Sequence, residues 1–173
     1  MTERAQTSMD FLVGMSMFLI IVIFVLSFVP GLIEPFNDSV QEDTVAVDRV
    51  ATQLSKGMLG STAEPFILDA QCTEAFFDET DDPGDCNFDP GTPVGDRFGL
   101  SSTQQLNITI ERDTNGDGDR EILRMDGAGN IVDSGGFLLK EGRSPPTSTG
   151  SVVVARRVVY LDGQDVSLIV RMW

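Results

Sequence analysis

The sequence predicts an α+β chain: a hydrophobic N-terminal helix long enough to cross a membrane, an amphipathic second helix, and a C-terminal antiparallel β-sheet. Three observations carry this. An uncharged run of nineteen residues stands near the N-terminus, helical periodicity follows it, and the last third alternates apolar and polar residues between turn clusters.

The uncharged run is Phe11 to Val29, with Gly14, Ser16 and Ser27 among apolar side chains. At 1.5 Å per residue a helix of this length crosses a hydrocarbon layer of about 30 Å. Secretory signal cores are shorter, and no Ala-x-Ala cleavage pattern follows, so the span is expected to be kept. Pro30-Gly31 is expected to end it. Arg4 and the amino group precede the run, whereas Glu34, Asp38, Glu42, Asp43 and Asp48 follow it. The basic flank favours an inside N-terminus, which puts residues 31–173 outside the cell.

Between Val40 and Leu59, Val40, Val47, Val50, Leu54 and Met58 recur at helical spacing with polar residues between them. That pattern predicts an amphipathic helix over 40–59, ended by Gly57 and Gly60. Residues 61–100 read as an irregular acidic loop. Asp81-Asp82-Pro83-Gly84-Asp85 and Asp89-Pro90-Gly91-Thr92-Pro93 are turn clusters, with one short apolar element at Phe66 to Leu68. Cys72 and Cys86 fall inside this loop. In a chain placed outside the cell they read most simply as a disulfide, since two thiolates without a His make a poor metal site.

From 106 to 173 the period changes to two. Strands are expected at Leu106 to Arg112, Glu121 to Met125, Phe137 to Lys140, Ser151 to Leu161 and Val166 to Met172, forming a meander whose apolar face the 40–59 helix covers.

Composition removes several function classes. Lys+Arg 12 against Asp+Glu 27 leaves a net charge of −15, a field that repels nucleic-acid phosphates, so no nucleic-acid partner is expected. There is no His, which excludes His-dependent triads and His-ligated zinc. An enzyme would have to work with carboxylates alone, and no acid pair sits in a recognisable catalytic pattern, so catalysis is not expected. Only Lys56 and Lys140 are lysines, and this Lys-poor acidic composition points to a salt-loving source.

Two local patterns suggest ligands or modification. Asp113, Asn115, Asp117, Asp119 and Glu121 alternate as calcium-loop ligands do, but the twelfth position is Arg124 and the flanks read as strands. An acidic hairpin turn is the better reading, calcium the alternative, and no other cofactor is expected. Asn37-Asp38-Ser39 and Asn107-Ile108-Thr109 are glycosylation triplets, both on the side assigned to the outside.

The N-terminus is the most specific segment. A plain reading makes Ser8 and Asp10 a cap on a membrane helix. It leaves unexplained the order Arg4-Ala5-Gln6-Thr7-Ser8-Met9-Asp10-Phe11-Leu12, a basic and a small residue followed by Gln-x-Ser-x-acid-aromatic opening the apolar run. This order resembles the class III signal of archaeal type IV pilins. The resemblance covers about thirty residues and loosely matches the layout of the whole chain. It implies a pilin-like fold, a leader 1–5 removed between Ala5 and Gln6 by a prepilin peptidase-like enzyme, and an assembly helix 6–30. Ser8, Asp10 and Phe11 would take part in assembly, with Asp10 at the fifth position of the mature chain. Partners would be membrane lipid before assembly and other pilin subunits in a surface filament afterwards, with the chain a pilin or minor pilin-like component. A membrane-anchored surface domain that does not polymerise is the rival expectation.

Overall fold

The computed structural model describes residues 3–33, 40–60, 63–78, 86–147 and 151–173, with side chains at 3–10, 29–33 and 40–41 outside the description. It is α+β, with two compact units, Met1–Gln41 and Glu42–Trp173.

The first unit is helix α1, Glu3–Ile33. Its stretch Phe11–Phe28 is long and apolar enough to cross a membrane, and none of it is buried. Both hydroxyls in that stretch are satisfied within the helix, Ser16 donating to the Leu12 carbonyl and Ser27 to the Ile23 carbonyl, each at 2.8 Å. This internal bonding removes the cost of a bare hydroxyl in an apolar medium. The expected stop at Pro30-Gly31 is not where the helix ends, because α1 continues to Ile33. A proline deletes a single i→i−4 bond, and the other backbone bonds carry the helix past it.

Helix α2, Val40–Gln53, leads into the second unit from Glu42 onward, and its first turn carries Glu42 and Asp43 against the positive end of the helix dipole. Val47, Val50, Ala51 and Leu54 are buried along one face, while Val45 and Arg49 are exposed. The last turn, Leu54–Met58, widens to π geometry, with the Leu59 N–H bonded to the Leu54 carbonyl at 3.0 Å. Gly60 follows where a Cβ would stand 2.8 Å from the Ser55 carbonyl oxygen and 2.9 Å from that of Ile67, so no side chain fits that close approach.

Residues 61–100 are not the irregular loop that their turn residues predict. Where described, they include α3, Ala70–Phe77, and the single turn α4, Val94–Arg97. Asp69 caps α3 by accepting the Cys72 N–H at 2.9 Å. Phe76, Phe77, Phe88 and Phe98 are buried in the core, and Phe76 meets Phe77 and Phe88 edge-to-face at 5.1 and 5.4 Å. The expected element at Phe66 to Leu68 forms by pairing with other chain segments, Leu68 N–H on the Tyr160 carbonyl and Tyr160 N–H on the Phe66 carbonyl, both 2.8 Å.

Among the described residues eight strands follow: β1 Leu106–Arg112, β2 Glu121–Ile122, β3 Arg124–Met125, β4 Ile131–Val132, β5 Phe137–Leu138, β6 Lys140–Gly142, β7 Val153–Leu161 and β8 Gln164–Met172. The pairing is antiparallel as expected, but the sheet is no meander. Its order is β2-β1-β8-β7 with β6 also on β1, and β4-β3-β5 form a small second sheet. The first strand therefore pairs with the last. β1 and β8 have the longest unbroken burial of the strands, and two such strands belong side by side at the centre. The chain between them leaves and re-enters the main sheet at Leu123 and Leu139, both buried and both bonded to Ile110 through the backbone.

Ile108, Ile110, Leu168, Val170 and Met172 face a core shared with α2 and α3, so the second helix covers the sheet as its periodicity predicts. Polar ties join the layers: Arg157 pairs with Asp48, Arg49 donates to the Phe98 carbonyl at 3.2 Å, and Gln104 donates to Asp43 at 2.8 Å.

Candidate functional site

What the molecule offers is surfaces, and the first is α1. From residue 11 to 28 its side chains are exposed on every side, with only Val22 half-buried. A helix apolar all round and exposed along its length suits lipid or other helices. Arg4, Ala5, Gln6, Ser8 and Asp10 lie in the α1 backbone, and their side chains are outside the described residues. Helix α1 is described from Glu3, so Ser8 and Asp10 fall beyond its first described turn. Phe11, the first described side chain, is exposed.

Cys72 and Cys86 form the disulfide that their setting predicts, with Cα atoms 5.5 Å apart. It ties α3 to the segment leading into α4. Arg97 closes the same corner, its guanidinium 5.1 Å from the Phe76 ring centre and 5.6 Å from that of Phe88, donating to the Thr92 carbonyl at 2.6 Å.

The acidic turn between β1 and β2 does not present itself as a cation site. Asp113 accepts the N–H groups of Gly116 and Gly118 at 2.6 and 3.0 Å, and Asp117 accepts the Asp119 N–H at 2.8 Å and the Asn115 amide at 2.8 Å. Glu121 accepts the Thr114 hydroxyl at 2.7 Å. The carboxylates are turned onto their own loop, as in an Asx-stabilised hairpin. Among the described residues no group of three or more His, Cys, Asp or Glu is placed to hold a metal ion.

Of the two glycosylation triplets, Asn37 lies outside the described residues. Asn107 is 1% exposed in a central strand, its amide donating to the Glu141 carbonyl at 3.3 Å and its oxygen facing Arg171. A glycan has no access there in the folded domain. The triplet is short enough to arise by chance inside an alternating strand, and burial overrides it.

The sheet face away from the core carries a second surface that the alternation alone does not reveal. Cross-strand register sets Val154, Arg171 and Asn107 in one row, Arg156, Ile169, Thr109 and Lys140 in the next, and Val158, Ser167, Glu111 and Ile122 in a third. Arg171 forms an ion pair with Glu111 at 2.8 Å and donates to Thr109 at 2.8 Å, and Thr109 donates to Glu111 at 2.6 Å. Arg156 and Arg120 both reach the Ser167 hydroxyl, at 3.2 and 2.5 Å. Thr109, Glu111 and Ser167 are thus buried beneath the stems of arginines, which keep part of their charge in water. Beside them Val154, Val158 and Tyr160 are exposed on β7.

Elsewhere, the Asp126 carboxylate at the β3–β4 turn titrates below its ordinary range. The Asn130 backbone N–H is the main cause, followed by the Asn130 side-chain amide, while the small desolvation of the site opposes them and the Ala128 N–H adds to the lowering.

No curated protein and no solved structure matches the chain. A family model described as a family of unknown function, DUF7287, matches residues 2–173, and the chain belongs to that family.

Proposed function

We propose that this chain is a structural subunit, a pilin or minor pilin-like component, of an archaeal type IV pilus-like surface filament. The carrying observation is α1, with an eighteen-residue stretch apolar on all sides and none of it buried. Before assembly that surface rests in lipid. After loss of residues 1–5 to a prepilin peptidase-like enzyme it exchanges lipid for the same helix of neighbouring subunits, keeping its apolar area covered throughout. The order Arg4-Ala5-Gln6 with Asp10 and Phe11 supports the processing step, and the disulfide suits an oxidising exterior. The folded unit is then carried outside the cell.

The test has two readings, the N-terminus of the purified mature chain and electron microscopy of the cell surface. A chain beginning at Gln6 and present in filaments is expected. In the same reading the new amino group of one subunit pairs with Asp10 of another, so Asp10→Ala inserts normally but is missing from filaments. A mature chain that retains residues 2–5 and never enters a polymer would leave a membrane-anchored surface domain as the correct reading.

A further inference from the structure

Strand β7 stands last in the order of the main sheet. It runs in unbroken register with β8, from Val153 opposite Met172 to Leu161 opposite Gln164. In such a ladder the backbone groups of successive residues point alternately toward the paired strand and away from it. Tyr160 fixes the phase: its N–H donates to the Phe66 carbonyl and its carbonyl accepts the Leu68 N–H, both at 2.8 Å and both on the side away from β8. The N–H and carbonyl groups of Val158, Arg156 and Val154 therefore point to that same side.

Among the described residues the chain fills this edge at Tyr160 alone. Ile67 pairs with Tyr160 in parallel, so the residues ahead of Phe66 would run beside Val158 if the segment stayed extended. Instead Phe66 takes a φ of 71° and the Ile67 N–H turns back to the Glu64 carbonyl at 3.3 Å. The charges that commonly guard an edge are drawn off it. Arg156 leans across β8 to the Ser167 hydroxyl at 3.2 Å, and Arg157 pairs with Asp48 of α2. Arg157 also donates to the Arg156 carbonyl at 3.1 Å, which leaves that oxygen a second lone pair. Between the open edge and α2 lies a groove of about 440 Å³, lined by Thr44, Val45, Val47 and Asp48 and by residues 153–157.

We infer that the β7 edge from Val154 to Val158 binds an extended segment of a partner protein, uncharged and rich in β-branched residues, which joins the main sheet as a further strand with alternate side chains in the groove beside α2. This goes beyond the filament reading and does not depend on it.

Three observations favour this occupant. A row of alternating N–H and carbonyl groups is satisfied by an extended backbone. The chain already lays such a backbone, Phe66 to Leu68, on the same edge, so an added strand continues an existing pairing. The alternation then selects side chains: one set meets Val45, 67% exposed, and Val153 in the groove, and the other meets Val154 and Val158, 55% and 61% exposed on the outer face. The Asp48–Arg157 pair is neutral as a unit and asks no charge of the partner. A second copy fits less well. Two β7 edges joined antiparallel about Arg156 oppose that arginine with itself, and each chain carries a net charge of −15.

The test uses the full-length chain in detergent micelles and, as probe, an acetylated and amidated heptapeptide of alternating Thr and Val. At about ten times its dissociation constant the peptide is expected to slow amide exchange at Val154, Arg156 and Val158 roughly tenfold, while Val153, Ala155 and Arg157, which point to β8, change little. Val158→Pro removes an outward donor and spares the β8 ladder, and Val45→Asp puts a charge in the groove; each is expected to abolish the slowing at Val154 and Arg156. Formation of the Cys72–Cys86 bridge checks that both variants fold. Exchange indifferent to the peptide, or slowing that survives both variants, would overturn the site. Slowing of the same three amides that rises with protein concentration and needs no peptide would overturn the choice of partner and assign the edge to a second copy.

Discussion

At the residue scale, the acids of this chain divide into those that order backbone and those that charge the surface, and spacing alone does not separate them. Asp126 belongs to the first kind, since it accepts N–H groups from both Ala128 and Asn130, at 3.0 and 2.9 Å. Those bonds exist for the ionised form, so the folded pKa lies below the ordinary aspartate value of about 3.9. A lowered folded pKa gives stabilisation that is complete above the unfolded value and is lost as pH falls through the folded one. A carboxyl NMR titration is expected to place Asp126 below the exposed aspartates, and Asp126→Ala to speed amide exchange at Ala128 and Asn130 where Asp126→Asn does so less. A midpoint at the ordinary value would refute this. The pattern at 113–121 shows the limit of spacing: alternating Asp and Asn suits a metal loop and an Asx turn equally, and here the carboxylates of Asp113 and Asp117 bond their own loop.

At the scale of elements, what was legible followed periodicity. The apolar helix, the 40–59 helix and the strands β1, β7 and β8 all carry patterns longer than one turn or three alternations, and their type was readable. The failures lie where elements are short or sequence-distant. α3 is eight residues long and sits among turn clusters, yet Asp69 as a cap and the pair Phe76-Phe77 were its available signals. β1 pairing with β8 joins segments more than fifty residues apart, and no local pattern encodes it. The outer-face patch was illegible for the same reason, because its rows are assembled by register. Energetically α3 leans on its disulfide. Closing a loop of sequence separation 14 stabilises by about 3 kcal/mol through the unfolded chain. Replacing both Cys72 and Cys86 by Ala is therefore expected to lower the Tm of the folded unit by about 10 °C. A calorimetric scan showing no change would mean that the aromatic cluster of Phe76, Phe77 and Phe88 holds this corner by itself.

At the scale of the whole molecule, the two units divide labour cleanly in sequence. Every residue of the buried hydrophobic cluster lies between Val47 and Met172, as do the disulfide and both sheets. Eleven of the twelve Lys and Arg and twenty-three of the twenty-seven Asp and Glu lie from Glu42 onward, which gives that unit a net charge of −12. A unit of this size encloses a core of its own, and its charge keeps separate copies apart in dilute solution. Residues Met1–Gln41 instead carry the uncovered apolar helix. A chain beginning at Glu42 is accordingly expected to fold with its disulfide formed and to stay soluble and monomeric without detergent, while the chain containing α1 needs detergent or lipid. Analytical ultracentrifugation with a far-UV circular dichroism spectrum decides the matter. An unfolded or aggregated Glu42–Trp173 chain would show that α1 completes the fold, and a stable oligomer at micromolar concentration would show that the outer units polymerise without it.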